Sequence, residues 1–328
     1  MKKNISKNIS VCLPGIQEKV LLKDHTTWRI GGPAKYFFEA NDPDELIAAL
    51  QFAKEEDLPY FILAGGSNVL VSDRGFEGLV VKIKISDLEI KEEGDGIKVL
   101  AGAGLPLNFL SARLAEAGAS GMEWSASIPG TLGGAIFGNA GAFGPSMAGS
   151  VDWVEFLESK NGKFQIKKYQ KKECRFTYRS SIFKKRSPRL IVLRTQLSLA
   201  KGDKEAIAQR MKEHADFRRE RHPLNFPSAG SVFKNYAKAI KNKSFLKKYP
   251  EMEAFNKKKE LPAGWLIAKS GLAGKKIGAA QISEKHSNFF VNLGGAKAKD
   301  VRALIELARK KVKKVFGAEL KEEIIYLG

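Results

Sequence analysis

Apolar residues in this chain change their spacing from one stretch to the next, and those changes outline its elements. Asn41-Asp42-Pro43-Asp44-Glu45 reads as a helix start, with a capping side chain, a proline in the first turn and acids at the positive end. Leu46, Ile47, Leu50 and Ala53 follow at helical spacing, and Pro59 closes the helix. Tyr60-Phe61-Ile62-Leu63 then predicts a buried strand that runs into Ala64-Gly65-Gly66-Ser67-Asn68, with further strands near 70–71 and over 79–85. Residues 88–91 and 97–101 flank the turn Glu93-Gly94-Asp95-Gly96 and predict a hairpin; residues 151–157 and 164–169, joined at Asn161-Gly162, predict another. A helix is expected over 106–117 with Gly118 at its C-cap, a strand over 190–199, and a helix over 203–221 that Pro223 ends. Beyond it come a helix around 265–269, a long one near 299–316 and a closing strand over 320–327. Hairpins recur where strand–helix–strand crossovers would be needed, so the fold class is α+β rather than a doubly wound sheet.

Composition narrows the class without naming a function. With 328 residues the chain is too long for one small core, and 43% hydrophobic with 28% charged residues is an ordinary globular balance. No apolar run approaches the ~20 residues of a membrane helix, so no membrane partner is expected. Met1-Lys2-Lys3-Asn4 is basic but leads into mixed polar residues rather than a signal core. Two cysteines, Cys12 and Cys174, make no disulfide framework, and the reducing cytoplasm is the expected compartment. The net charge of +20 has two readings: phosphate neutralisation on nucleic acid, or solvated surface charge facing a polyanionic small substrate. The basic runs, such as Lys184-Lys185-Arg186 and Lys257-Lys258-Lys259, are scattered and accompany no nucleic-acid-reading motif. The solvated surface is the favoured reading, with no specific nucleic-acid partner.

Candidate chemistry begins with two glycine-rich segments. One is Gly65-Gly66-Ser67-Asn68, after a strand. The other runs Ser127-Ile128-Pro129-Gly130-Thr131-Leu132-Gly133-Gly134 and on through Gly138, Asn139 and Gly141. Glycine lets backbone N–H groups approach an anion closely, so such loops suit a pyrophosphate. Neither is a Rossmann fingerprint and neither carries a Walker lysine; each could also be only a tight turn. Arg179, in Tyr178-Arg179-Ser180-Ser181, reads by itself as a surface arginine. Ser231, in Ala229-Gly230-Ser231-Val232-Phe233-Lys234-Asn235, lacks the nucleophile-elbow pattern of a hydrolase. Glu322 and Glu323 read by themselves as solvated strand residues. The four histidines, His25, His214, His222 and His286, share no ligand spacing, so no metal is expected. His286 suits a structural or substrate-contact role better than acid–base chemistry.

Taken together and in this order, Asn68-Val69-Leu70, the segment 127–144, Tyr178-Arg179, the segments 227–235 and 264–292, and the tail 317–328 resemble the UDP-N-acetylenolpyruvoylglucosamine reductase family, in its shorter form. The resemblance covers nearly the whole chain, from about His25. It implies a PCMH (vanillyl-alcohol-oxidase-type) FAD-binding domain over 25–200, in subdomains of about 25–85 and 86–200, after an N-terminal segment 1–24. A substrate-binding domain over 201–328 follows, with a Lys-rich insertion near 238–261. FAD would be non-covalent, since neither glycine loop holds histidine or cysteine. It would be bound by Gly65, Gly66, Ser67, Asn68, Ser127, Ile128, Pro129, Gly130, Thr131, Gly133, Gly134, Gly138 and Asn139. The resemblance places the family's catalytic arginine on Arg179, its serine proton donor on Ser231 and its glutamate on Glu323, with Tyr178, Lys234 and Asn235 as substrate contacts. It implies NADPH as reductant, hydride transfer from reduced flavin N5 to C3 of the enolpyruvyl group of UDP-N-acetylglucosamine enolpyruvate, and a proton from Ser231 to C2; the sequence leaves the oligomeric state open, with a monomer favoured. Departures stand at Tyr236 and Glu322, where the family has proline, at Ile325, where it has arginine, and at Ala268, where it has an acid. Two alternatives stay open: another FAD oxidoreductase of the same fold, and a basic nucleic-acid binder on a degenerate flavin fold.

Overall fold

The computed structural model describes residues 13–160 and 162–328. Cys12, the Met1-Lys2-Lys3-Asn4 start and Asn161 of the expected turn lie outside the described residues. The chain divides into two compact units, each assembled from separated stretches. The first takes the stretch ending at Val20 together with Pro33–Gly66 and Phe76–Arg218; the second takes Leu21–Gly32, Ser67–Gly75 and Arg219–Gly328.

The first unit holds two sheets. A four-stranded sheet runs in the order Gln17–Leu21, Pro33–Ala40, Phe76–Ile83, Tyr60–Leu63. Phe76–Ile83 pairs in parallel with both of its neighbours. The expectation that hairpins stand in place of strand–helix–strand crossovers does not hold for these parallel pairs. They arise because the helix Pro43–Glu55 carries the chain back across the sheet, as a parallel connection requires. Its start is the one the sequence announces: the Asp42 side chain accepts a hydrogen bond from the Glu45 N–H at 2.8 Å, and Leu46, Ala49, Leu50, Phe52 and Ala53 are buried. The second sheet is antiparallel, in the order Lys163–Gln170, Val151–Lys160, Leu190–Lys201, Gly96–Gly102, Leu88–Glu93, with Ala119–Ser120 also paired to Leu190–Lys201. Both expected hairpins are here. The helices Leu107–Glu116 and Leu132–Gly138 bury Leu110, Leu114, Leu132 and Ile136 in a core shared with Trp124, Phe156 and Phe183.

The second unit is built on the helix Ala298–Phe316. Its buried Val301, Leu304, Ile305, Ala308, Val312 and Phe316 recur at three- and four-residue spacing. The Asp73 carboxylate accepts from the first N–H groups, Ala298 at 2.8 Å and Lys299 at 3.2 Å, and Gly317 ends the helix with φ +66°. A three-stranded antiparallel sheet, Lys276–Ile277, Ala280–Ile282, Phe290–Asn292, adjoins a parallel pair of Val69–Val71 with Ile325–Leu327 in the same unit. The closing strand is shorter than its apolar pattern suggests. Residues before Ile325 form only an isolated bridge, Phe233 to Glu322. Two early stretches belong to this unit because their polar groups are satisfied there: Trp28 Nε1 donates to the Phe290 carbonyl at 2.7 Å, and Asn292 Nδ2 donates to the Trp28 carbonyl at 3.1 Å. The Lys-rich stretch contains two helices, Lys243–Lys248 and Met252–Lys258, anchored by buried Ile240, Met252 and Leu261.

Candidate active site

In the first unit the two glycine loops meet. A Cβ on Gly65 would stand 2.6 Å from the Cα of Gly130, so neither backbone leaves space for a side chain between them. Thr131 begins the helix Leu132–Gly138, and Gly133 N–H donates to the Ala103 carbonyl at 2.8 Å, which seats this loop on the end of the Gly96–Gly102 strand. A Cβ at Gly138 would meet nothing within 4 Å, and the Ser127 hydroxyl is buried with no partner. A close-packed glycine ledge, open space beside Gly138 and an unsatisfied buried hydroxyl fit a dinucleotide laid along these loops. Ile128 and Pro129 complete the same turn.

Arg179 occupies a strained turn in the same unit. Thr177 and Ser180 exchange both backbone hydrogen bonds at 2.9 and 3.0 Å, which forces Arg179 to φ +52°. Its Nη1 donates to the Gly141 carbonyl at 3.0 Å, and its guanidinium lies 5.6 Å from the ring of the exposed Tyr178. Asn139, expected among the cofactor contacts, spends its side chain on scaffolding. Nδ2 donates to the Thr177 carbonyl at 3.0 Å and Oδ1 accepts from the Ala148 N–H at 3.0 Å. The glycine loop and the arginine turn are thus a single piece of structure.

Ser231, Lys234, Asn235 and Glu323 come together in the second unit, which also contains Ser67 and Asn68. Gly230, at φ +70°, turns the chain into Ser231. The segment from Ser231 to Lys234 is then clasped on both sides. On one side the Glu323 N–H donates to the Val232 carbonyl at 2.8 Å and the Lys234 N–H to the Lys321 carbonyl at 2.9 Å. On the other, the buried Asn288 side chain donates to the Phe233 carbonyl at 2.8 Å and accepts from the Phe233 N–H at 2.9 Å. Asn68 Nδ2 donates to the Glu323 carbonyl at 3.0 Å, so this residue of the first glycine motif holds the C-terminal glutamate. Glu322 is not free in solvent either: Tyr326 donates to it at 2.6 Å and Arg309 at 3.3 Å. A cavity of about 400 Å³ opens here, lined by Ser231, Asn235, Trp265, Lys285, His286 and Asn288 among others. The sequence reading did not single out Asn288 or Trp265; their clue was proximity to His286 and Ala268, which it did notice. Arg179 belongs to the first unit.

These features define a flavoprotein oxidoreductase. Residues 34–165 match the FAD binding domain family, and residues 222–327 match the UDP-N-acetylenolpyruvoylglucosamine reductase C-terminal domain family. The chain belongs to the UDP-N-acetylenolpyruvoylglucosamine reductase family, with FAD as its cofactor. It is 38% identical to the enzyme of that name from Carboxydothermus hydrogenoformans, over 100% of this chain and 98% of the relative. It is 39% identical to the one from Caldanaerobacter subterraneus, over 94% of this chain and 92% of the relative. The crystal structure of the Thermus caldophilus UDP-N-acetylenolpyruvylglucosamine reductase superposes with a TM-score of 0.71 at 33% identity, covering 95% of this chain and all of that one. The α+β, PCMH-type reading of the fold therefore stands. Among the described residues no group of acids, histidines and cysteines could hold a metal ion, and no helix is long and apolar enough to cross a membrane.

Proposed function

We propose that the chain reduces the enolpyruvyl group of UDP-N-acetylglucosamine enolpyruvate, with NADPH as reductant, to give UDP-N-acetylmuramate in the cytoplasm. The observation that carries this reading is the Glu323 N–H to Val232 carbonyl bond, which sets Glu323 against the segment bearing Ser231 beside a cavity that Ser231 and Asn235 line. FAD would be held by the two glycine loops and Ser127 and, when bound, would supply the hydride equivalent, drawn from NADPH, that C3 of the enolpyruvyl double bond requires. Negative charge then develops at C2 and on the attached carboxylate. The Arg179 guanidinium, fixed by its turn and by Gly141, is the group to stabilise that charge. An enolate is basic enough at carbon for a serine hydroxyl to protonate it when held close, which is the role of Ser231. Glu323 hydrogen-bonds or protonates the substrate carboxylate, while Tyr178, Lys234 and Asn235 contact the rest of the molecule. NADPH absorbance followed with purified holoprotein tests the reading. Consumption should depend on the UDP substrate; an equal rate with and without it would overturn the assignment.

A further inference from the structure

The segment between Tyr236 and Leu261 looks from its sequence like a basic appendage, with eight lysines against three glutamates over residues 238–261. Its structure is a built support behind two residues that line the cavity, Asn235 and Trp265. Tyr236 and Leu261 exchange backbone hydrogen bonds at 2.9 and 3.0 Å and close the loop at its base. Asn256 clamps the middle: its side chain accepts from the Ile240 N–H at 3.0 Å and donates to the Ile240 carbonyl at 2.9 Å. Phe255 and Tyr249 pack edge-on against Trp265, with ring centroids 5.8 and 5.3 Å away, and Trp265 packs in turn on Phe316 at 5.7 Å. The described lysines at 247, 248 and 257–259 are exposed, as are Glu251 and Glu260, but it is these two glutamates that bond residues lining the cavity.

Glu260 Oε1 accepts from Asn235 Nδ2 at 2.8 Å, and Asn235 Oδ1 accepts from the Ala263 N–H at 3.1 Å. The two bonds fix which end of the Asn235 amide is oxygen and leave its second N–H as a donor for the cavity that Asn235 lines. Glu251 Oε1 accepts from Trp265 Nε1 at 3.2 Å, which sets the plane of the other wall, an indole. A fixed N–H donor beside an aromatic face suits an oxygen-rich ligand that also carries a flat ring, the chemistry of a nucleoside diphosphate.

We infer that Glu260 and Glu251 are positioning residues for substrate binding: the loop 238–261 sets affinity for the UDP substrate through its two carboxylates rather than through its lysines. This rests on the proposed function above. Steady-state NADPH oxidation over a range of substrate concentrations tests it, on holoprotein with flavin content checked for each variant. Glu260→Ala should raise the KM for the UDP substrate ~10-fold, the scale of one lost charge-assisted hydrogen bond, with kcat held within about 2-fold. Glu251→Ala should act the same way and more weakly, and Glu260→Gln, which keeps an acceptor, should restore KM to near the wild-type value. Glu260→Ala should add nothing on top of Asn235→Ala, since it acts through that residue. The variant carrying Lys247→Ala, Lys248→Ala, Lys257→Ala and Lys258→Ala should change KM only at low ionic strength, whereas the glutamate effect should persist at high salt. Wild-type KM in both glutamate variants overturns the inference, as does a matching loss of kcat or of bound flavin. If the wild-type protein itself fails to use the UDP substrate, the functional reading falls and this inference with it; normal wild-type turnover with unaffected glutamate variants sinks this inference alone.

Discussion

Removing one oxygen atom from Ser231 separates the two halves of the proposed reaction. Flavin reduction needs only NADPH, whereas reduction of the enolpyruvyl group also needs a proton at C2. Ser231→Ala should spare the first and slow the second by about 10²–10⁴-fold, roughly 3–5 kcal/mol of barrier. Stopped-flow bleaching and reoxidation of the flavin read the two steps separately, and wild-type reoxidation would remove Ser231 from the role. Gly65→Ala tests the cofactor ledge: its Cβ would collide with the Gly130 backbone, so the purified protein should lose bound FAD. A variant retaining full flavin absorbance would contradict the close approach. At this scale the sequence is uneven. Ser231 and Glu323 carry no mark of chemistry in their own neighbourhoods and become legible only through the family resemblance. Asn288, which holds the serine segment from 55 residues away, had only its nearness to His286 to mark it, and Glu260, which orients Asn235 from 25 residues away, had no local signal at all. Their significance lies in contacts that the chain makes only when folded.

Secondary elements were easier to read where their ends carry polar punctuation. The helix Pro43–Glu55 was legible because Asp42 and Pro43 mark its start, and both hairpins because their turns do. The parallel pairs of the first sheet and the short closing strand were not, since pairing partners and strand length depend on distant segments. The helix Lys204–Arg221 offers a test at this level. In the first unit its Arg210 donates at 2.8 Å to Glu123, a buried acid that also accepts from Ser120 and Gly121. Burial pushes the Glu123 pKa up, but Arg210 and the other donors outweigh it and hold the carboxyl below its ordinary value of 4.5. A depressed carboxylate contributes stability above that ordinary value and loses it as pH falls through the folded value. Wild type should therefore exceed Glu123→Gln in denaturant midpoint at neutral pH, and the gap should close under acid conditions. A gap independent of pH would assign the effect to packing instead.

For the whole molecule, charge and connectivity matter most. The +20 balance reads as solvated surface, so duplex DNA should bind weakly and lose affinity steeply with added salt. Tight, sequence-selective binding in a fluorescence anisotropy titration at physiological salt would reopen the nucleic-acid reading. Connectivity has a consequence for synthesis. All the chain of the first unit has left the ribosome once Arg218 has, but the second must wait for partners such as Phe290 and Ile325 to meet Trp28 and Val69. At bacterial elongation speeds the roughly 110 intervening residues take about 5–20 s. Over that interval Trp28, Ile30 and Leu70, all destined for a buried core, have nothing to cover them. The nascent protein is therefore most exposed to misfolding, and most dependent on chaperones, between the emergence of Arg218 and that of Ile325.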